Sequence, residues 1–178
     1  AGLASGVLAV SAGDGHTCAL TSGGGVKCWG YNFAGQLGDD TTTTRLVPTD
    51  VTGLASGIAE IAAGTFHNCA RTDGGGLKCW GYNPYGALGD GSTTDRHAPV
   101  DVTGLGAAAI SVSAGNAHTC ARTIGGNAWC WGHNYYGQVG DGSNTDRTAP
   151  VAISSLGSGV STVATGDIHT CAVDAGGV

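Results

Sequence analysis

The chain is poor in charged residues, and this shortage excludes several functions. Only 11% of its 178 residues are Asp, Glu, Lys or Arg, whereas about 25% is usual for a soluble domain. The net charge of −6 offers no basic surface to neutralise phosphates, so nucleic acid is not expected as a partner. No apolar run approaches the roughly 20 residues of a membrane-spanning helix, so membrane insertion is not expected either.

Helical periodicity is also absent, and what the chain has instead is a strict repeat. Cys18, Cys69, Cys120 and Cys171 follow one another at intervals of 51 residues, and His16, His67, His118 and His169 keep the same interval. A fixed period of this length is typical of stacked or radially arranged units. We therefore expect repeat units at 1–51, 52–102 and 103–153, and a partial unit at 154–178.

Each complete unit divides into four short strands. In the first unit, apolar residues at alternate positions predict a strand over 7–12, and further strands are expected over 16–21, 26–31 and 46–51. The glycines of 22–25 suit a tight turn, and Pro48 restricts the fourth strand to a sheet edge or an irregular position. Four strands per repeated unit are typical of a β-propeller blade. The predicted fold is therefore an all-β propeller of about three and a half blades.

Six of the seven cysteines form pairs, namely Cys18 with Cys28, Cys69 with Cys79, and Cys120 with Cys130. If Ala19 pairs with Lys27 across the turn, then Cys18 lies opposite Cys28 on the same face of the hairpin. The prediction is a disulfide framework in an oxidising compartment, and buried free thiols are the alternative. Cys171 is left unpaired.

The repeated motifs resemble the regulator of chromosome condensation (RCC1) repeat. They are His16-Thr17-Cys18-Ala19, and then Cys28-Trp29-Gly30-Tyr31-Asn32 followed by Gly35-Gln36-Leu37-Gly38, and the second and third units carry close copies. The resemblance implies a seven-bladed propeller. Members of the family include a nuclear exchange factor, plant photoreceptors and a secreted bacterial β-lactamase inhibitor, and the paired cysteines here resemble the secreted bacterial type.

Equally spaced histidines invite a metal-site hypothesis, but each lies on a different unit. A zinc site needs its ligands to converge at about 2.0–2.1 Å from one ion. We therefore expect no metal, and we expect each histidine to hydrogen-bond backbone between blades. The aspartates of 90–95 and 141–146 suit turns better than a calcium loop, and Arg45, Arg96 and Arg147 are expected to bond neighbouring loops or carbonyls.

Catalysis is not expected, because Glu60 is the only glutamate and no nucleophile, base and acid group together. No cofactor is expected. The informative positions are those at which the units differ, and several carry aromatic rings on loops or strand ends. Such rings are typical anchors of recognition surfaces, although packing between blades is an alternative role for each one. The predicted partner-binding residues are Phe33, Phe66, Tyr85, Trp129, Tyr135 and Tyr136.

The function predicted from these features is a non-enzymatic, secreted or cell-surface scaffold for protein recognition or adhesion. A structural subunit of a surface fibre and a secreted enzyme inhibitor are the alternatives. The partner of Cys171 would follow at the same spacing, beyond a turn at Gly176 and Gly177. We therefore expect these residues to belong to a longer polypeptide, or neighbouring copies of the chain to cover the ends.

Overall fold

The computed structural model describes residue 3 and residues 5–174, and the regular structure of this part is β except for one 3-10 turn at Ser154–Leu156. The first sheet contains β1 (Val7–Ala12), β2 (His16–Thr21), β3 (Val26–Gly30) and β4 (Arg45–Asp50). The second contains β5 (Ile58–Ala63), β6 (His67–Thr72), β7 (Leu77–Gly81) and β8 (Arg96–Asp101). The third contains β9 (Ala109–Ala114), β10 (His118–Thr123), β11 (Ala128–Gly132) and β12 (Arg147–Ala152). β13 (Val160–Thr165) and β14 (Thr170–Asp174) pair beside the third sheet.

Each sheet is antiparallel with its strands in chain order. The first strands of successive sheets contact one another, β1 with β5, β5 with β9 and β9 with β13. The first strand of every sheet therefore lies innermost and the fourth lies at the outer edge, which is the arrangement of propeller blades. The prediction of four-stranded blades is confirmed, and Pro48 lies in the edge strand β4 as its missing N–H requires.

Glycine sets the end of the third strand in each sheet, one residue earlier than the sequence suggested. Gly30 has a φ of 107°, a conformation that side chains rarely adopt. A Cβ there would also lie 2.5 Å from the carbonyl oxygen of Gly15. The chain therefore leaves the sheet at Gly30. The loop that begins with Tyr31 lies next to the turn that connects β1 and β2.

The central hairpin of each sheet has the predicted register. Ala19 lies opposite Lys27 and Cys18 lies opposite Cys28. Disulfides join Cys18–Cys28, Cys69–Cys79 and Cys120–Cys130, so the predicted pairing is confirmed. Cys171 is free and exposed. The turn expected at Gly176 and Gly177 lies outside the described residues.

The hydrophobic core lies between the sheets. The first of three apolar clusters joins Leu37 and Val51 of the first unit to Ile58 and Trp80 of the second, and the Trp80 ring is fully buried. The other two clusters join the second sheet to the third, and the third sheet to β13 and β14. Stability is therefore shared between neighbouring units, as in other repeat proteins.

Each interface between sheets also contains a buried hydrogen-bond network. The carbonyl of Ala87 accepts the hydroxyl of Thr119 at 2.8 Å and the Nε1–H of Trp131 at 2.8 Å. Because the Thr119 hydroxyl has only one proton to donate, its oxygen accepts from His67 Nε2, which lies 2.8 Å away. Nε2 of His67 therefore carries a proton.

The histidines link neighbouring blades. The expected backbone partner is present for His118, whose ring bonds the backbone of His169, whereas the rings of His16 and His67 bond side chains of the next blade. Nε2 of His16 contacts the Asn68 side chain at 3.0 Å, and Nε2 of His118 contacts the Thr170 hydroxyl at 3.1 Å. Burial lowers the pKa of His67 to about 3, and it lowers the pKa of His118 to about 4. Within the described residues, no three His, Cys, Asp or Glu side chains converge as metal ligands would, and no helix is long and apolar enough to cross a membrane.

Candidate interaction surface

Five of the six predicted contact residues lie at one end of the sheets. This end contains the turns between first and second strands and the loops that follow third strands. The N–H of Tyr31 donates to Gly15 O at 2.8 Å, and that of Tyr82 donates to Phe66 O at 3.0 Å, so turn and loop run side by side. Phe33, Tyr85, Tyr135 and Tyr136 are in the loops, and Phe66 is in a turn.

A first group of rings bridges the first and second sheets. The Phe33 ring centroid lies 5.3 Å from that of Phe66 in an edge-to-face arrangement, 5.2 Å from Tyr31 and 5.9 Å from Tyr82. These spacings are the preferred ones for aromatic pairs. Phe33 nevertheless remains 45% exposed, so it packs between blades and presents its ring to solvent.

A second group bridges the second and third sheets. The Tyr85 ring lies 4.5 Å from that of His133, and Tyr135 and Tyr136 meet edge to face at 5.0 Å. Tyr135 is 68% exposed and Tyr136 is 62% exposed. We call the two groups together the aromatic loop surface. Its residues are Tyr31, Phe33, Phe66, Tyr82, Tyr85, His133, Tyr135 and Tyr136.

A buried asparagine holds each loop in shape. Asn134 Nδ2 donates to the carbonyls of Ser143 and Thr145, both at 3.0 Å, and its Oδ1 accepts the N–H of Val139 at 2.9 Å. Asn32 and Asn83 make the equivalent bonds in the other two loops. Because these bonds join distant parts of a loop, the rings are presented by a fixed backbone.

An aspartate–arginine pair completes each loop. Asp141 accepts from Arg147 at 2.6 Å and from the Ser143 hydroxyl at 2.8 Å. Burial alone would raise the pKa of Asp141, but the hydrogen bonds from Ser143 and Arg147 outweigh it and lower that pKa. The equivalent pairs are Asp39 with Arg45 and Asp90 with Arg96. The arginines were expected to bond neighbouring loops or carbonyls. Arg45, Arg96 and Arg147 begin β4, β8 and β12, and each pairs with a carboxylate of the loop that directly precedes its strand.

Trp129 lies elsewhere. It is the second residue of β11, next to the turn that precedes this strand, and therefore at the opposite end of the sheet from the aromatic loop surface. Its half-buried ring packs on the second apolar cluster, which includes Leu105. Its buried Nε1 has no hydrogen-bond acceptor among the described residues. The structure thus does not bring Trp129 together with the other five predicted residues.

Trp129 replaces an ion pair of the other two sheets. Lys27 bonds Asp50 at 2.5 Å, and Lys78 bonds Asp101 at 2.7 Å. In the third sheet the residue opposite Trp129 is Ala152. Both members of the pair therefore differ in the third sheet, where a tryptophan and an alanine stand in their places.

Sequence reasoning missed Tyr31, Tyr82 and His133, because they occupy an equivalent position in each unit and resembled fixed parts of the blade. Their rings contact Phe33, Phe66 and Tyr85. The available signal was their position at the start of the loops that carry the variable aromatic residues.

Two family models match the chain, both described as the regulator of chromosome condensation (RCC1) repeat. One matches residues 24–71, 75–122 and 125–173, and the other matches residues 7–36, 58–87 and 109–138. The first set begins near β3 of one sheet and ends in the second strand of the next sheet. One such match therefore spans the junction between two blades.

Among known proteins, the ultraviolet-B receptor UVR8 of Arabidopsis thaliana is 36% identical over 94% of the chain, which spans 39% of that receptor. The crystal structure of human WBSCR16 superposes with a TM-score of 0.85 at 24% identity, over 95% of this chain and 45% of that one. Yeast RCC1 (Prp20), in its structure bound to Kap60, gives a TM-score of 0.83 at 23% identity, over 93% and 41% of the two chains. The chain thus spans less than half the length of each of these proteins, and the two solved structures share its fold.

Proposed function

Since the chain belongs to the RCC1 repeat family, we propose that it is a non-enzymatic scaffold that recognises a partner protein through the aromatic loop surface. The RCC1-repeat propeller is a fold typical of protein-interaction scaffolds. Yeast RCC1, for example, was crystallised bound to the protein Kap60.

The observation that carries this proposal is the display of Tyr135 and Tyr136 on a braced loop. Both rings are more than half exposed, while Asn134 and the pair Asp141–Arg147 fix the backbone beneath them. A rigid tyrosine loses little conformational entropy on binding and buries a large amphipathic surface. Binding hot spots are enriched in tyrosine for this reason.

A non-enzymatic role is supported by how the polar side chains are used. His67 and Thr119 are occupied between sheets, and Asp90 and Asp141 are occupied inside loops. A general base must instead be free to reach a substrate proton. We therefore assign these groups to stabilising the scaffold.

An extracellular location is part of the proposal. Three disulfides in a chain of this size are typical of secreted proteins, because reducing compartments keep thiols free. The low charge content is consistent with this location. Mass spectrometry of native material, alkylated without reductant, tests it, and material with all seven cysteines alkylated would contradict it.

The recognition role is tested by placing a photo-crosslinking amino acid at Tyr135 in the native environment and identifying the protein that is captured. Binding of that protein is then measured with the double variant Y135A/Y136A. We expect the binding free energy to weaken by about 2 kcal/mol, which raises Kd about thirtyfold. The matched control is L46A/V47A, which removes exposed apolar side chains from the outer strand β4.

The control variant is expected to bind like the parent. Circular dichroism and the retention of three disulfides show that each variant is folded. Equal affinity for the tyrosine variant and the parent, or an equal loss in both variants, would overturn the assignment of this surface.

A further inference from the structure

The loop that displays Tyr135 and Tyr136 begins with a histidine, whereas the equivalent loops begin with tyrosine. His133 takes the place that Tyr31 and Tyr82 hold in the first and second units. Histidine is the side chain that ordinarily changes its charge between pH 5 and pH 8. The third loop therefore carries a ring that titrates near neutral pH where the other two carry a phenol.

A glutamine connects this ring to the backbone of the loop. Gln138 Oε1 accepts the N–H of Tyr136 at 3.0 Å, and Gln138 Nε2 lies 3.1 Å from Nδ1 of His133. Gln138 is only 4% exposed, so its amide depends on protein partners. Because the Tyr136 N–H can only donate, the amide oxygen faces it and the amide nitrogen faces His133. Nδ1 of His133 is therefore an unprotonated acceptor in this arrangement.

The first two units lack this connection in two different ways. In the first unit Gln36 Oε1 accepts the N–H of Ala34 at 2.9 Å, but Gln36 Nε2 has no acceptor in the described part of the chain. In the second unit Ala87 stands in place of the glutamine. Of the three complete units, the third thus links a loop N–H to a ring that titrates.

Protonation of His133 removes the acceptor at Nδ1. An imidazolium carries a proton on both nitrogens, so two donors would then face each other across the 3.1 Å contact with Gln138. If the amide rotates by half a turn, its oxygen accepts from the ring in a charge-assisted bond, about twice as strong as a neutral one. The same rotation turns the amide nitrogen toward the Tyr136 N–H, which loses its acceptor. One bond is lost in either orientation, and the stronger bond goes to the ring.

The rings around His133 do not titrate in the same range. The Tyr85 ring lies 4.5 Å from it and attracts its cationic form, and Tyr136 meets it edge to face at 6.3 Å. His118 of β10 is the nearby second imidazole. Burial lowers the pKa of His118 to about 4, so this ring stays neutral in mild acid.

Two carboxylates lie on segments next to His133. Asp146 accepts the N–H of Asn134, the following residue, at 2.7 Å. Asp167 accepts from Asn116 at 2.6 Å, in the turn whose backbone accepts the His133 N–H. A nearby carboxylate favours the cationic form of a ring. Since these hydrogen bonds do not involve the ring, replacing the ring leaves the carboxylates in place.

We propose that His133, Gln138 and Tyr136 form a proton relay that loosens the loop of Tyr135 and Tyr136 in mild acid. At neutral pH the glutamine holds the Tyr136 N–H. When His133 gains a proton, Gln138 turns its oxygen to the ring and releases that N–H. A looser loop loses more conformational entropy on binding, so the relay weakens recognition in acid. This consequence rests on the recognition role proposed above, whereas the relay is a property of the chain alone.

Nuclear magnetic resonance of the folded, disulfide-bonded protein tests the relay without a partner. Between pH 7.5 and pH 5.5, the ring nitrogen resonances follow protonation of His133, and amide exchange of Tyr136 is measured relative to an unstructured peptide at the same pH. We expect this exchange to become about fivefold faster in acid, as for one lost hydrogen bond, with the midpoint of His133 protonation. The internal reference is the amide of Ala34, which bonds Gln36 in the same way in a loop that begins with Tyr31. Any acid effect on the whole fold alters both amides.

Two variants locate the effect, and each introduces a residue that another unit carries at the same position. H133Y should keep the Tyr136 amide protected at both pH values, whereas Q138A should leave it in fast exchange at both. Retention of the three native disulfides shows that both variants are folded. A Tyr136 amide that changes with pH only as Ala34 does, or a change that persists in H133Y, would overturn the relay. Loss of the recognition role in the Y135A/Y136A experiment, made at one pH, would leave the relay standing.

Discussion

Acid should destabilise the protein well before its carboxylates are protonated, because His67 and His118 are buried as neutral rings. Their pKa values in the folded protein are about 3 and about 4, against about 6.5 in an unfolded chain. Between those values the unfolded state binds more protons than the folded state. Stability is therefore fully present above pH 6.5 and is lost as the pH falls below it.

The size of the loss follows from the same linkage. From pH 7 to pH 5, each ring lowers the free energy of unfolding by about 2 kcal/mol, so the two together remove about 4 kcal/mol. Burial also lowers the pKa of His16, which adds to the loss. The pKa values of Asp39, Asp90 and Asp141 are lowered by their hydrogen bonds, so these groups contribute only below this range.

Urea denaturation at pH 7, 6 and 5, followed by circular dichroism with the disulfides intact, measures the effect. In the variant H67Q the loss over this range should be smaller by about 2 kcal/mol. The control T119V removes the acceptor of His67 but keeps its ring, so it should lower stability at every pH and keep the steep acid dependence. A parent protein equally stable at pH 7 and pH 5, or an H67Q variant as acid-sensitive as the parent, would refute the neutral, buried state of His67.

Three further outcomes test the scaffold. The free energy of unfolding of the variant C69S/C79S should be about 3 kcal/mol lower, because its unfolded chain is no longer restrained by a closed loop. An unchanged urea midpoint would contradict this. The variant N83A should have a free energy of unfolding about 2–3 kcal/mol lower, since several backbone groups of the loop lose their hydrogen-bond partner. Faster amide exchange confined to that loop should accompany this change. The pair W129K and A152D should show a favourable coupling of about 0.5 kcal/mol in a double-mutant cycle, and zero or unfavourable coupling would show that the ion pair of the other sheets cannot form there.

The sequence predicted the parts of the fold that depend on local spacing. Cys18 and Cys28 are ten residues apart around a glycine turn, so one register brings them opposite each other, and the structure has that register. Alternating apolar residues located the strands, and Pro48 located the outer edge. These inferences need no knowledge of how one sheet lies against the next.

The missed features depend on distances between units. The shared acceptor Gln36 O belongs to one unit, and its donors Asn68 and Trp80 belong to the next. No spacing within a unit indicates that contact. The exchange of an ion pair for Trp129 and Ala152 was hidden for a related reason, because an irregularity between β11 and β12 shifts the register.

The disulfides also determine how the chain responds to a pulling force. Each one joins the two middle strands of a sheet, such as β2 and β3, and leaves the inner and outer strands held by non-covalent contacts. A load on the chain would detach the edge strands and then pass through the sulfur–sulfur bond, bypassing the 10 residue steps between Cys18 and Cys28. At about 3.5 Å per residue the released segment would span about 35 Å, whereas the bridged cysteines are 4.1 Å apart, so each sheet would lengthen by about 30 Å less than its reduced form. Reduction would therefore make the protein more extensible under shear.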